Sequence, residues 1–123
     1  MKKKSKTKIV TIGNIGVDAG LCWIGDPCYV LHKTGKDKPK AIGRDWEGFC
    51  DIISDMKGSK SFNFDLGHEG LGVCVSTGFG DGCYPVKAIV EDHGDMGVRV
   101  MGVFVDFGSS KAAFEKVIGR KVK

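Results

Sequence analysis

The sequence predicts an α+β domain centred on an antiparallel β-sheet or small β-barrel, with one or two helices packed on it. Three observations carry that expectation. Apolar residues alternate with period two over much of the chain. Two stretches space them by three and four instead. Glu91-Asp92-His93-Gly94-Asp95 lies between two apolar runs and has the Asp/Gly composition of a hairpin loop.

Taken in order, Lys8 to Ile12 reads as a short strand, with Gly13-Asn14 as a tight connection to the next. Ile15, Val17, Ala19, Leu21 and Trp23 share one parity and form a strand face, interrupted by Gly16 and Gly20. Residues 32–44 hold five basic side chains, Gly35, Pro39 and Gly43 with little apolar content, and read as a mobile loop. A helix is expected over about 45–56, where Trp46, Phe49, Ile52, Ile53 and Met56 recur on one face, with Asp45 as N-cap and Gly58 as stop.

Leu71 to Thr77, Tyr84 to Val90 and Val98 to Phe107 are rich in β-branched and aromatic residues and predict three further strands. The last is apolar on both parities, the pattern of a central strand covered on both faces. It should pair antiparallel with 84–90 across the 91–95 loop. A second helix is expected over about 110–118, capped by Ser109 or Ser110, carrying Ala113, Phe114, Val117 and Ile118, and closed by Gly119.

A chain of 123 residues suits one compact domain, here 9–119, between a basic tail at 1–8 and another at 120–123. Those tails hold eight of the 19 basic residues and no acidic ones, leaving the body with 11 basic against 15 acidic side chains. The net charge of +4 is therefore a property of the ends. Nucleic acid is not an expected partner except through the basic tails. No apolar run approaches the roughly 20 residues of a membrane span, and no signal-peptide core follows the N-terminal lysines. The expected setting is cytoplasmic, with no membrane. Five cysteines, Cys22, Cys28, Cys50, Cys74 and Cys83, are odd in number and lack a CxxC pair, which predicts reduced thiols.

The most specific feature is a repeated phrase. Gly25-Asp26-Pro27-Cys28-Tyr29 and Gly80-Asp81-Gly82-Cys83-Tyr84 both read Gly-Asp-x-Cys-Tyr, 55 residues apart. In each, the aspartate can accept backbone N–H bonds and fix a tight turn, and the next strand would send Cys and Tyr to opposite faces. If the two turns are equivalent and meet, Asp26, Cys28, Tyr29, Gly80, Asp81, Gly82, Cys83 and Tyr84 surround one ligand-binding cavity. The architectural alternative makes the aspartates turn formers, the cysteines small hydrophobes and the tyrosines packing residues.

Several chemistries are poorly served. A thiol nucleophile needs a base, yet His93 lies at the far end of the strand that begins with Cys83, and His32 is about two pleats from Cys28 on an extended chain. Metal-type spacings are absent, so no metal and no cofactor is expected. The glycine run Gly67, Gly70, Gly72, Gly78, Gly80 and Gly82 leads into a strand rather than a helix, and no Gly-Lys-Ser/Thr follows. It is neither a P-loop nor a dinucleotide fingerprint.

Val17-Asp18-Ala19-Gly20, Trp23 to Val30, Val75 to Val86, and Arg99-Val100 leading to Val105-Asp106-Phe107 together resemble a group of small uncharacterised phage and bacterial proteins. The shared pattern pairs a Gly-Asp-Pro-Cys-Tyr turn with a Gly-Asp-Gly-x-Tyr-Pro-Val turn and covers most of residues 15–107. The resemblance implies a cytosolic accessory protein, with a phage or mobile-element setting open, and brings no activity with it.

Two functions are compatible with these residues. The first is a non-enzymatic binding module for a small polar or anionic ligand or a protein partner. The second is a small hydrolase using Asp26 and Asp81, assisted by Cys28 or Cys83. Nothing in the sequence signals an oligomeric state.

Overall fold

A computed structural model describes residues 7–31, 39–109 and 111–119. The chain falls into two compact units: Gly20–Thr77, and a discontinuous unit made of the chain before Gly20 together with the chain from Gly78 onward. Each carries one three-stranded antiparallel sheet. The fold is α+β with antiparallel sheets. Among the described residues neither sheet closes on itself, so the barrel alternative gives way to two small sheets.

In the discontinuous unit, β1 (Thr7–Val17), β5 (Gly82–Asp92) and β6 (Val98–Val105) are ordered β1-β5-β6. The Gly13-Asn14 connection is corrected. These residues pair with Val86 and Pro85 inside one unbroken strand, and a bulge between Thr11 and Gly13 absorbs Ile12. Both halves of β1 find partners on the same eleven-residue β5, so the chain has no reason to reverse. β1 also begins inside the expected N-terminal tail, at Thr7, while residues 120–123 lie outside the described residues.

The hairpin of β5 with β6 forms as expected, running from Val86↔Val105 to Asp92↔Val98 around a 3₁₀ turn at Gly94–Met96. The central role expected of β6 does not hold. β5 is the middle strand and buries Tyr84 and Ala88, whereas β6 lies at the edge with Val98, Val100, Met101 and Val103 all more than half exposed. The helix over Lys111–Ile118 anchors through Phe114, which is buried and packs 4.5 Å from Phe104. Ala113 and Val117, two of the expected apolar positions, are exposed. Ser109 turns its hydroxyl to Asp106, and Ser110 lies outside the described residues.

In the other unit, β2 (Leu21–Ile24), β4 (Glu69–Ser76) and β3 (Ser59–Asn63) are ordered β2-β4-β3. The core is Phe62, Leu71 and Cys74, with Trp23, Phe49, Ile52, Ile53 and Met56 packed against it. Asp45 caps the helix α2 (Trp46–Ile52) as expected, its Oδ1 accepting from the Gly48 N–H at 2.7 Å. The helix stops four residues short of Met56. Ser54 donates its hydroxyl to the Asp51 carbonyl, a local bond that competes with helix continuation. Ile53 and Met56 nonetheless reach the core from the turns beyond the helix.

The loop expected over 32–44 is corrected over its second part, while residues 32–38 lie outside the described residues. Lys40–Ile42 forms a 3₁₀ turn held by Asp65, whose carboxylate accepts from the Lys40 and Ala41 N–H groups at 3.2 and 3.3 Å. Ala41 and Ile42 pack on the core. Gly43 and Gly48 then let backbone meet backbone, since a Cβ on either would collide with the other's main chain.

Candidate functional site: two unlike turns and an aromatic pocket

The two copies of the phrase lie in different units, and locally they are not equivalent. In the first, Asp26 Oδ1 accepts from the Cys28 N–H at 3.0 Å, the aspartate turn that the sequence predicts. The chain then enters a helical turn, α1 (Cys28–Leu31), with Leu31 N–H donating to the Pro27 carbonyl at 2.8 Å. The strand expected here is corrected. Proline is already set for the first helical position, and an aspartate before it accepts the free N–H groups. Tyr29 packs edge-on against Phe64 with centroids 4.9 Å apart.

The second copy opens β5, as expected. Here the tyrosine closes the turn: Tyr84 donates its hydroxyl to the Gly80 carbonyl at 2.7 Å and is buried beside Phe107. Its ring lies over Gly82, where a Cβ would come within 3.3 Å of it. Asp81 forms no side-chain hydrogen bond among the described residues.

Electrostatics separates the two copies further. The Cys28 N–H and then the Cys28 thiol hold the Asp26 carboxyl below its ordinary range. The same contact, then desolvation and the nearby Asp26 charge, push the Cys28 thiol up. Asp26 is thus an ionised acceptor, and Cys28 stays a protonated thiol that is poorly suited to attack. Cys83 is exposed. His93 sits beyond the far end of β5 and meets Glu91 at 3.2 Å, while His32 lies outside the described residues. Among the described residues no cluster of three His, Cys, Asp or Glu side chains is placed to hold a metal.

Sequence reasoning missed a pocket in the Gly20–Thr77 unit. It has a volume of about 260 Å³, with walls of Trp23, Trp46, Phe49, Val30 and Ile42, and with Arg44 and Asp45 also lining it. Trp46 and Phe49 lie nearly parallel at 6.0 Å, and Trp23 meets Phe49 at 74°. The first turn motif builds part of it. Trp23 enters just before that turn and Val30 just after, on α1. The close approach of Gly43 to Gly48 seats Arg44, Asp45 and Trp46 at the start of α2.

Two residues on this wall break local rules. The Trp23 indole N–H is buried with no hydrogen-bond partner among the described residues, a state that costs on the order of 1–3 kcal/mol. Arg44 has φ +65°, the one non-glycine residue in the left-handed region among the described residues. That conformation costs an L-residue about 1–2 kcal/mol. A pocket flanked by both tryptophans of the chain was the signal available in the sequence; the arginine's backbone left none.

A third aspartate, also unforeseen, organises the discontinuous unit. Asp106 is buried and accepts from Lys87 Nζ at 3.1 Å, from the Gly108 and Ser109 N–H groups at 3.0 and 2.8 Å, and from the Ser109 hydroxyl at 2.8 Å. Burial alone would raise its pKa, but these bonds outweigh burial and hold it at about 2. The Lys87 ammonium also lies 4.4 Å from the Phe114 ring centre, so the pair ties the end of β6 to the helix.

Among the described residues no helix is long and apolar enough to cross a membrane. Comparison with protein-family models, with curated proteins and with solved structures found no match.

Proposed function

We propose that this protein is a non-enzymatic binding module whose site is the aromatic pocket of the Gly20–Thr77 unit. One observation carries the reading: two locally unfavourable choices, an indole N–H buried without a partner among the described residues and an arginine in the left-handed region, belong to residues that line one pocket. Departures from local rules concentrate where function sets the residue. The pocket is concave and mostly apolar with a few polar groups, the usual character of a small-molecule site. A cytosolic setting fits the five free thiols. The hydrolase alternative gains no support from Asp26, which is committed to the Cys28 N–H and thiol.

The test uses the two tryptophans themselves. In ¹⁵N-labelled protein each indole N–H gives a separate NMR signal, and both side chains line the pocket. A set of small ring compounds should shift both signals, and Trp46→Ala should abolish the response of Trp23. If no compound at millimolar concentration moves either signal, the pocket is not a binding site.

A further inference from the structure

We infer, resting on that reading, that the ligand of the pocket is a planar ring bearing a carboxylate. A cavity of roughly 150 Å³ suffices for one benzene molecule. At about 260 Å³ this one has room for a fused ring or a ring with a substituent. Trp46 and Phe49 present nearly parallel rings and Trp23 a nearly perpendicular one, matching the offset-stacked and edge-on arrangements that aromatic pairs favour.

Aromatic walls alone would also suit a cation. The charged groups decide between the two. Asp45 keeps its charge but spends Oδ1 on the Gly48 N–H as the cap of α2, where the helix start offsets that charge. Arg44 makes no ion pair with any described residue, lines the pocket, and is held there despite its backbone conformation. A guanidinium fork matches a carboxylate in geometry and repels an ammonium.

Indole-3-acetate, indole-3-acetamide and tryptamine share a ring and differ in charge, so titrating each into the ¹⁵N-labelled full chain isolates the head group. The acetate should bind about tenfold tighter than the amide, with tryptamine weakest. Raising NaCl from about 0.05 to 0.5 M should shrink that advantage. Arg44→Gly tolerates the left-handed backbone and so keeps the fold, and it should equalise acetate and amide. A tripeptide ending in tryptophan, compared with its C-terminal amide, tells a peptide carboxylate from a free small acid by whether it outbinds indole-3-acetate. Equal binding of acetate and amide by the parent protein, or tightest binding of tryptamine, overturns the carboxylate inference and leaves the pocket standing. If none of the ligands moves either indole signal, the binding-module reading falls with it.

Discussion

At Gly25–Tyr29 the chain turns into a helix, and at Gly80–Tyr84, with four of five residues the same, it turns into a central strand. The one differing residue suits the course each copy takes. Pro27 has a fixed φ suited to a first helical position, and Asp26 beside it accepts the Cys28 N–H. Gly82 has no Cβ, so the Tyr84 ring can fold back over it and bond the Gly80 carbonyl. A shared phrase therefore does not make a shared local structure. The aspartate holds the first turn, and the tyrosine holds the second.

Exchanging the variable residue should break the comparison most severely. Gly82→Pro removes a backbone donor opposite Val17 and puts a ring where Tyr84 lies, so it should cost about 3 kcal/mol or more. Pro27→Gly keeps the helical turn possible and mainly loosens the unfolded chain, for a loss of about 0.5–1 kcal/mol. Urea titrations of both variants measure the difference. Equal midpoints would mean that the variable residue does not decide the outcome.

The aspartate on which the discontinuous unit relies is Asp106, not Asp81. Its folded pKa of about 2 lies below its ordinary 3.8, so its stabilisation is complete above about pH 4 and is lost as pH falls towards 2. At about 1.4 kcal/mol per unit this amounts to about 2–3 kcal/mol. Stability followed from pH 4.5 to 2 should fall steeply in the parent protein. Asp106→Asn should flatten that slope by about this amount, and Asp81→Asn should leave it unchanged. A parallel slope in Asp106→Asn would remove Asp106 from this role.

What the sequence revealed was local, and what it hid depends on residues far apart. The Asp45 cap, the 91–95 hairpin and the Lys111–Ile118 helix each arise from a few neighbouring residues. The edge position of β6 does not, because it is set by β1 occupying the other side of β5 from a point before the whole inserted unit. An apolar pattern on both parities is equally compatible with an edge strand that leaves valines exposed. Asp26-Pro27 announced a helix start that the parallel with Asp81-Gly82 obscured. The pocket draws residues from β2, α1, the 3₁₀ turn and α2, and no single window of sequence contains it. Asp106 was partly legible, since Asp-x-Gly-Ser after a strand is the spacing of an aspartate turn.

The two tyrosines sharpen the comparison at lower cost. Tyr84→Phe removes a part-buried hydroxyl bond and leaves the Gly80 carbonyl without it, for a loss of about 1 kcal/mol. Tyr29 is more than a third exposed and packs through its ring, so Tyr29→Phe should lie within about 0.5 kcal/mol of the parent. Thermal melts of the two variants at one pH would show the asymmetry. Equal losses would mean that the tyrosine does not hold the second turn.

The smallest effect concerns reactivity rather than stability, and it asks whether the two aspartates treat their cysteines alike. Cys28 and Cys83 are both exposed, so access does not favour either. Only Cys28 shares a hydrogen bond with its aspartate, and that bond favours the thiol over the thiolate. Because the thiolate is the reactive form, a maleimide or iodoacetamide pulse near pH 7.5 should label Cys83 faster than Cys28. Cys22 and Cys74, buried and with thiols pushed up by desolvation, should react only on unfolding. Peptide mass mapping resolves each site. Asp26→Asn removes the carboxylate and should bring Cys28 up to the rate of Cys83, whereas Asp81→Asn should change neither. If Asp81→Asn accelerates Cys83 as Asp26→Asn accelerates Cys28, the two turns are electrostatically equivalent after all, and the divergence between them is confined to the backbone.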